Sequence, residues 1–261
     1  MAKAKKSFGQ HFLNNQRTID RIAGLILSYA NAHILEIGPG KGAITHSLIN
    51  HVEHFKAVEA DRDMVEYLRQ HQGLSEDQLI PSDVLQLDFN RVFDSEEFVL
   101  CGNFPYNISS QIVIKTLENT PLIPSMIGMF QKEMAQRIIA KPGTREYGRL
   151  AVLTGLMYKA KIAFDISRGQ FQPPPKVESA MLVLERLPDA LTQSDWSLLQ
   201  KLVRSAFQFK RKTLRNNLKS LPGLPLDILS DRFFDQRPED VSPQEYLRLA
   251  KEFERLKNNT I

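Results

Sequence analysis

The stretch that decides the fold is ILEIGPGKGAIT, residues 34–45. It starts as an apolar strand, turns through three glycines and continues into a helix. Glycine lets the backbone approach a ligand closely, and the start of a helix offers unpaired amide hydrogens. The turn, with Gly38 and Gly40, therefore predicts a ligand site, the alternative being a tight turn that binds nothing. Its G-x-G-x-G spacing differs from the G-x-G-x-x-G of dinucleotide-binding folds and disfavours NAD.

Short apolar runs alternate with segments of helical composition on both sides of this turn. The runs that we predict as strands are 33–37, 55–60, 79–82, 98–101, 125–131, 162–166 and 180–187. Repetition of strand and helix predicts a parallel sheet with right-handed crossovers. From residue 189 the periodicity is helical, with Trp196, Leu199 and Leu202 on one face. We predict an α/β fold: a Rossmann-like catalytic domain over residues 1–187 and a small all-α domain over 188–261.

Composition limits the classes of protein to consider. The 261 residues carry 34 Lys and Arg against 30 Asp and Glu, a net charge of +4. No apolar stretch is long enough to span a membrane, and residues 1–15 do not resemble a secretory signal. A single cysteine, Cys101, excludes an internal disulfide and is expected to be a buried strand residue. We expect a cytoplasmic, monomeric protein with no membrane contact and no metal.

Acidic residues follow the second and third predicted strands. Glu59 lies about twenty residues after Gly38, where an acid can accept both hydroxyls of a ribose. Asp83 can accept from the exocyclic amine of an adenine. Each acid alone is typical of a solvated strand end. Together, beside a glycine turn, they predict a pocket for adenosine without phosphates, which favours S-adenosylmethionine.

The fourth predicted strand ends in Asn103-Phe104-Pro105-Tyr106. An adenine N6 lone pair becomes nucleophilic when the nitrogen is drawn towards tetrahedral geometry, and two acceptors can do this: the Asn103 side-chain carbonyl and the Pro105 main-chain carbonyl. Tyr106 can stack on a base that has left its helix or loop. The pattern predicts methylation of an aromatic amine, with an Asn-Pro turn that caps the next helix as the alternative.

Several motifs together resemble the small-subunit (16S) ribosomal RNA adenine dimethyltransferase family. They are FGQHFL (8–13), EIGPGKGAIT (36–45), GNFPYNISS (102–110), QKE (131–133), F-x-PPPKV (171–177), AF (206–207) and RKTLRNNL (211–218). The glycine turn is common to most methyltransferases, whereas NxPYN, FxPPPKV and RKTLRNNL are specific. The resemblance extends from about residue 5 to at least residue 219.

This resemblance implies that the enzyme dimethylates N6 of two adjacent adenines, in a hairpin near the 3′ end of small-subunit rRNA, late in subunit assembly. It implies S-adenosylmethionine contacts by His11, Leu13, Gly38, Glu59, Asp83 and Asn103. It also implies that Asn103, Pro105 and Tyr106 hold the target base, with Phe171 on its other face. The family most often has Asn at position 11 and Leu at position 104, so the side-chain role of His11 stays open.

A basic segment spans residues 201–219, which contain seven Lys or Arg and no acid. Such a run is typical of a solvated face. Here the apolar stripe Val203, Ala206 and Phe207 turns the cations outward, as binding to a phosphate backbone requires. The candidate RNA contacts are Lys210, Arg211, Lys212 and Arg215.

Three alternatives are set against this prediction. The related antibiotic-resistance methyltransferases modify an adenine of large-subunit rRNA, but FxPPPKV and RKTLRNNL favour the small subunit. An assembly factor could keep the fold and transfer nothing, which an intact Asn103-x-Pro105-Tyr106 speaks against. A dehydrogenase is disfavoured by the glycine spacing.

Overall fold

The structure is a computed structural model that describes residues 10–188, 191, 193–209, 211–224 and 226–258. These residues form two compact units. The first contains the residues up to 135 together with 160–186, and the second contains 136–159 together with the residues from 187 onwards. The sequence-based division after residue 187 lies one residue beyond the last of these changes, and residues 136–159 were expected in the first domain.

The described strands carry most of the first unit. In chain order they are β1 (Phe12–Leu13), β2 (His33–Ile37), β3 (Phe55–Glu59), β4 (Leu79–Pro81), β5 (Phe98–Asn103), β6 (Ser125–Gln131), β7 (Tyr158–Ile166), β8 (Phe171–Gln172) and β9 (Ser179–Arg186). One seven-stranded sheet has the order β4-β3-β2-β5-β6-β9-β7, and β1 pairs with β8 in a separate antiparallel ribbon. β2 and β6 match the predicted runs, and β3, β4, β5 and β9 differ from theirs by one or two residues at an end. β7 begins four residues before its predicted start at 162, and the β1–β8 ribbon was not predicted.

Strand directions place a crevice beside β2. The pairs β2–β3, β2–β5, β3–β4 and β5–β6 are parallel, as predicted. Along the chain, β3 and β4 are added on one side of β2, and β5 and β6 are then added on its other side. Such a reversal of strand order is where ligands bind in open α/β sheets, outside the carboxyl ends of the strands. β9 is antiparallel to β6, because the chain returns through residues 167–178 and sets Ser179 beside Gln131.

The described helices are α1 (Gln16–Leu27), α2 (Thr45–Leu48), α3 (Arg62–Gln72), α4 (Ser109–Glu118), α5 (Lys132–Ile138), α6 (Arg149–Met157), α7 (Gln193–Ala206), α8 (Leu214–Leu218) and α9 (Pro243–Asn258). Helix α1, which was not predicted, buries Ile19, Ile22, Ala23 and Ile26 along one face. The Asn15 side chain caps it by accepting from the Thr18 amide. Among the described helices none has the length and apolar composition that crossing a membrane requires.

The centre of the sheet is apolar. Ile34, Leu35, Leu100 and Cys101 have no exposed surface, because strands β2 and β5 lie in the interior of a parallel sheet. Burial also raises the pKa of the Cys101 thiol well above its usual value, so it stays protonated. The prediction of Cys101 as a buried strand residue is confirmed.

The second unit is helical. Helix α6 packs against α7 and α9, and α7 packs against α8. The predicted apolar face of α7 is buried, including Trp196, Leu199 and Leu202. Helix α6 is buried almost all round, with Val152 and Leu153 fully enclosed. A helix that is apolar almost all round must be buried, and α7 and α9 cover α6, which is why this helix belongs to the second unit.

Candidate active site

A cavity of about 550 Å³ lies at the carboxyl ends of β2, β3 and β5 in the first unit. It is lined by nine of the residues predicted from the sequence: His11, Leu13, Gly38, Gly40, Glu59, Asp83, Asn103, Pro105 and Tyr106. These residues come from five separate segments of the chain, and the strand order brings them together. Phe171 is not among the lining residues.

The glycine turn forms one wall of the cavity. Gly38 and Gly40 have φ angles of 62° and 57°, in the left-handed region that favours glycine. A Cβ at Gly40 would come within 2.9 Å of the Phe12 ring, so this position also lacks room for a side chain. The Gly40 amide donates to Oε2 of Glu59 over 3.1 Å. This hydrogen bond therefore joins the glycine turn to Glu59, the first acid of the predicted pocket.

Glu59 is 6% exposed and accepts a backbone hydrogen bond on each oxygen. The second bond comes from the Asp61 amide to Oε1, over 2.9 Å. Burial raises the pKa of the Glu59 carboxyl, and the two amides act in the opposite direction. A carboxylate has about four lone-pair positions, so each oxygen can still accept a hydroxyl.

Asp83 stands at the exposed end of the cavity, after β4. Its Oδ1 accepts from the Leu85 amide over 2.9 Å, which fixes the carboxyl group in the loop. Of the described residues that line the cavity, Lys41 is the one lysine or arginine. Three acids, Glu36, Glu59 and Asp83, against one such cation are the wrong balance for a ligand with several phosphates, and they suit a ligand that is cationic or neutral.

Glu36 is a cavity-lining acid that sequence reasoning missed. It is 1% exposed and its Oε2 accepts from the Thr45 hydroxyl over 2.7 Å, across the glycine turn. The pKa of Glu36 is raised to about 7, chiefly by burial, with a smaller contribution from the charge of Glu59. The sequence did contain a signal for Glu36, because a charged residue inside an otherwise apolar strand is unusual and indicates a specific role.

Asn103 ends β5, and its side chain is oriented by His11, the residue before β1. Nδ2 donates to the main-chain carbonyl of His11 over 2.9 Å. This bond identifies the nitrogen side of the amide and leaves Oδ1 as an acceptor. Within the described part of the chain, no group donates to that oxygen. Asn103 therefore offers a free carbonyl in the cavity wall.

Tyr106 is held at both ends. Its hydroxyl lies 2.6 Å from Oγ of Ser179, a residue with no exposed surface, and its ring stacks on His11 with centroids 5.6 Å apart and planes at 30°. Burial raises the pKa of the Tyr106 phenol, so the group stays neutral. The Pro105 carbonyl accepts from the Ile108 amide over 3.1 Å and keeps a second lone pair.

The His11 side chain also binds the loop that contains three successive prolines, at positions 173–175. Nδ1 lies 2.9 Å from the carbonyl oxygen of Pro173. Because a carbonyl only accepts, Nδ1 carries the proton in this contact. The ring thus lies between Tyr106 and the loop, while the main chain of His11 orients Asn103. The main chain of His11 therefore contacts Asn103, and its side chain contacts Tyr106.

Phe171 does not line the cavity, although its neighbour Gln172 and its ribbon partner Leu13 do. It is 2% exposed, pairs with Leu13 in the β1–β8 ribbon and belongs to the hydrophobic core. A side chain enclosed in this way cannot stack on a base without leaving its packing. The role of Phe171 at the target base stays a prediction that this arrangement does not support.

The predicted RNA contacts differ in their surroundings. Arg211 and Lys212 are exposed, and Lys210 lies outside the described residues. Arg215 is engaged: Nε donates to the Leu229 carbonyl over 2.7 Å, Nη2 donates to the Asp231 carbonyl over 3.0 Å, and Nη1 lies 3.0 Å from the Asp235 carboxylate. These contacts tie α8 to the following segment, and the role of Arg215 at RNA stays a prediction.

The lining fits S-adenosylmethionine in chemical terms. Glu59 and Asp83 supply acceptors for a ribose and an adenine, the glycine turn leaves room for close approach, and the acids suit a sulfonium cation. Across the described residues no group of three or more His, Cys, Asp or Glu side chains is arranged to hold a metal ion. The arrangement can hold an adenosine-bearing cation beside the Asn103 carbonyl.

Comparison with known proteins gives concordant matches. The family model described as ribosomal RNA adenine dimethylase matches residues 1–255. A protein of Bacteroides thetaiotaomicron named ribosomal RNA small subunit methyltransferase A is 41% identical over 254 residues, 97% of this chain and 95% of that protein. The protein of the same name from Flavobacterium johnsoniae is 41% identical over 252 residues, 97% of this chain and 96% of its own.

Two solved structures extend the comparison to the fold. A dimethyladenosine transferase from Plasmodium falciparum is 26% identical with a TM-score of 0.78, covering 95% of this chain and 98% of its own. The 23S rRNA methyltransferase ErmE is 25% identical with a TM-score of 0.65, covering 93% and 99%. The first structure superposes better than the second, which modifies large-subunit rRNA.

Proposed function

The chain belongs to the ribosomal RNA adenine dimethylase family, and from this we propose that it transfers methyl groups from S-adenosylmethionine to N6 of adenines in small-subunit rRNA. The targets that we propose are two adjacent adenines in a hairpin near the 3′ end, each methylated twice. The observation that carries the proposal is the Asn103 side chain, whose amide nitrogen is bound to His11 and whose Oδ1 is left as an acceptor.

Asn103 and Pro105 activate the target amine. The N6 lone pair of adenine is delocalised into the ring, and hydrogen bonds to both N–H groups favour the tetrahedral nitrogen that can attack. The Asn103 Oδ1 accepts one N–H, and the second lone pair of the Pro105 carbonyl accepts the other. Because His11 fixes the Asn103 amide in advance, the acceptor does not have to reorient as positive charge develops on nitrogen.

Tyr106 holds the plane of the flipped base. Its ring cannot swing freely, because the hydroxyl is bonded to Ser179 and one side packs on His11. Stacking on a fixed aromatic ring contributes roughly 1 to 3 kcal/mol per base, comparable to the cost of unstacking it. The phenol stays neutral and takes no part in proton transfer. The methylated ammonium loses its proton to water.

Glu59, Asp83 and the Gly38–Gly40 turn bind the cofactor. S-adenosylmethionine supplies an electrophilic methyl group on a sulfonium centre. The free lone pairs of Glu59 accept the ribose hydroxyls, and Asp83 accepts from the adenine amine. His11, Leu13 and Asn103 border the same cavity and complete the proposed contacts.

The second unit supplies the RNA contacts in this proposal. Arg211 and Lys212 are exposed cations of a segment without acids, and they suit rRNA phosphates. Such contacts position the substrate, and specificity comes from RNA shape and the flipped adenine. We place the reaction in the cytoplasm, late in small-subunit assembly, with the enzyme acting as a monomer.

The decisive experiment supplies labelled S-adenosylmethionine with separately purified unmethylated small and large ribosomal subunits. We expect label on small-subunit RNA, recovered as N6,N6-dimethyladenosine. Label on large-subunit RNA alone would replace the proposed substrate with that of the ErmE-like enzymes. Label on neither subunit would support an assembly factor that transfers nothing.

Two variants test the division of roles inside the site. Tyr106→Ala is expected to lose methyl transfer while keeping cofactor affinity, and Glu59→Ala is expected to weaken the cofactor first. Calorimetric binding of S-adenosylmethionine and single-turnover methylation separate the two effects. Wild-type rates in both variants would refute the site assignment.

A further inference from the structure

An exposed aromatic residue lies between α7 and α8. Phe209 is 46% exposed and is one of three large apolar side chains that are exposed in the described part of the chain. It begins a turn that the Lys212 amide closes by donating to the Phe209 carbonyl over 3.1 Å. Single exposed apolar residues are common on protein surfaces, so exposure alone assigns no role. What distinguishes Phe209 is how firmly its backbone is held.

The side chain of Asn217, on α8, forms hydrogen bonds with the backbone of this turn. Its Oδ1 accepts from the Phe209 amide over 2.9 Å, and its Nδ2 lies 3.1 Å from the Phe209 carbonyl and 3.3 Å from the Lys212 carbonyl. Asn217 has no exposed surface. A buried amide is costly unless its hydrogen bonds are made, and here they are directed to the loop. Both ends of the Phe209–Lys212 turn are therefore fixed by one buried side chain.

Neighbouring residues anchor α8 to the same unit. The Thr213 hydroxyl accepts from the Asn216 amide at the start of the helix, and the Leu214 amide donates to the Gln236 carbonyl over 2.8 Å. Arg215 binds the segment after Leu229, as described above. The loop is thus preorganised, although Phe209 itself contributes little burial to the core. Preorganisation of an exposed side chain lowers the entropy lost when a partner binds.

The charges around Phe209 indicate what that partner is. The Lys212 ammonium lies 4.4 Å from the centroid of the Phe209 ring, and Arg211 is exposed in the same turn. Lys201 and Arg204 on α7 and Lys219 after α8 are also exposed, in a segment without acids. An aromatic ring among cations suits an unpaired nucleotide, whose base stacks while its phosphates meet the charges.

We propose that Phe209 is a stacking platform for an unpaired base of the rRNA substrate, with Arg211 and Lys212 on the flanking phosphates. Phe209 is not among the residues that line the methylation cavity, so the base that we assign to it is not the methylated adenine. This inference rests on the proposed function. Stacking on Phe209 adds a non-ionic contact to RNA binding that otherwise depends on the charges of Lys and Arg side chains.

The test measures binding of the full-length enzyme to unmethylated small ribosomal subunits over a series of salt concentrations. Phe209→Ala is expected to weaken binding about tenfold, within the range measured for loss of one stacked base, with the salt dependence unchanged. Arg211→Gln is expected to reduce the slope of log K against log salt by about 0.7 to 0.9, as for loss of one phosphate contact. Phe209→Trp keeps a stacking ring and should retain affinity.

Leu226→Ala is the matched control, because Leu226 is an apolar residue of the same unit that is 64% exposed. It should bind as the wild type does, and melting temperatures should show that each variant is folded. Wild-type affinity of folded Phe209→Ala would overturn the proposal, as would equal losses in Leu226→Ala. Failure of methylation by the wild-type enzyme would count against the proposed function instead, since stacking is judged from binding alone.

Discussion

The ring of Phe104 lies against Gly128, so closely that a Cβ on Gly128 would come within 2.2 Å of the Phe104 Cε2 atom. Gly128 is in β6, beside Gly102 of β5. Phe104 is fully buried and packs edge-on against Phe130, with centroids 5.2 Å apart and planes at 86°. The absent side chain at position 128 therefore makes the space that a phenylalanine in the Asn103–Tyr106 turn requires.

Gly128→Ala is expected to destabilise the protein by roughly 1 to 3 kcal/mol, the usual cost of overpacking a core. It should also lower methyl transfer, because the displaced ring belongs to the turn that holds Asn103. Phe104→Leu in the same chain should restore part of both losses. Urea unfolding and single-turnover rates of the four proteins in this double-mutant cycle give the coupling. Additive effects would show that the two positions are independent.

His11→Ala is expected to reduce methyl transfer about tenfold, as small misplacements at a reacting centre do, with cofactor affinity nearly unchanged. The main-chain carbonyl that orients Asn103 survives the substitution, whereas the ring contacts with Tyr106 and Pro173 are lost. Turnover at saturating cofactor and a directly measured Kd separate the two quantities. His11→Asn restores a donor but no ring, and it reports how much the Pro173 contact matters alone. A selective loss of cofactor affinity in His11→Ala would place the side chain on the cofactor instead.

Glu36→Gln is expected to stabilise the protein increasingly as pH rises. The folded-state pKa of Glu36, about 7, lies above the ordinary value of 4.5, so the favourable contribution of its neutral form is complete below about pH 4.5. That contribution is lost as pH rises through 7, whereas glutamine stays neutral and can still accept from Thr45. The difference should approach about 3 kcal/mol above pH 7, at 1.36 kcal/mol for each pKa unit.

Urea midpoints of the wild type and Glu36→Gln at pH 5 and pH 8 measure this difference. Glu53→Gln is the control, because Glu53 is exposed. A stability difference that does not change between these two pH values would mean that Glu36 titrates normally.

Arg215→Gln and Arg211→Gln should fail in different ways. The first removes hydrogen bonds to the Leu229 and Asp231 carbonyls and the ion pair with Asp235, and we expect a loss of stability on the order of 2 kcal/mol. The second removes an exposed cation and should lower rRNA affinity with the melting temperature unchanged. Thermal unfolding and subunit binding of both variants make the comparison. A stable Arg215→Gln with weakened rRNA binding would return Arg215 to the RNA contacts.

Local patterns in the sequence were enough to predict much of the fold. Apolar runs bounded by turn residues gave strands close to those observed, and the parallel order made the glycine turn, Glu59, Asp83 and Asn103 neighbours at one edge. This succeeds because strand and turn preferences act over a few residues, and because parallel strands bring their carboxyl ends together. The short β1–β8 ribbon escaped prediction since two-residue strands leave no periodicity.

The sequence by itself therefore determined which residue types stand at the ends of the strands and which chemistry they suit. Only the tertiary structure decided how they are held. The Asn103 amide is oriented by a residue 92 positions away, and the Tyr106 hydroxyl by one 73 positions away. Phe171 is drawn into the core and Arg215 into a structural network, while Glu36 faces the cavity and Phe104 depends on a glycine in the next strand. Such contacts join segments that are remote along the chain, so they depend on packing, which no local preference encodes.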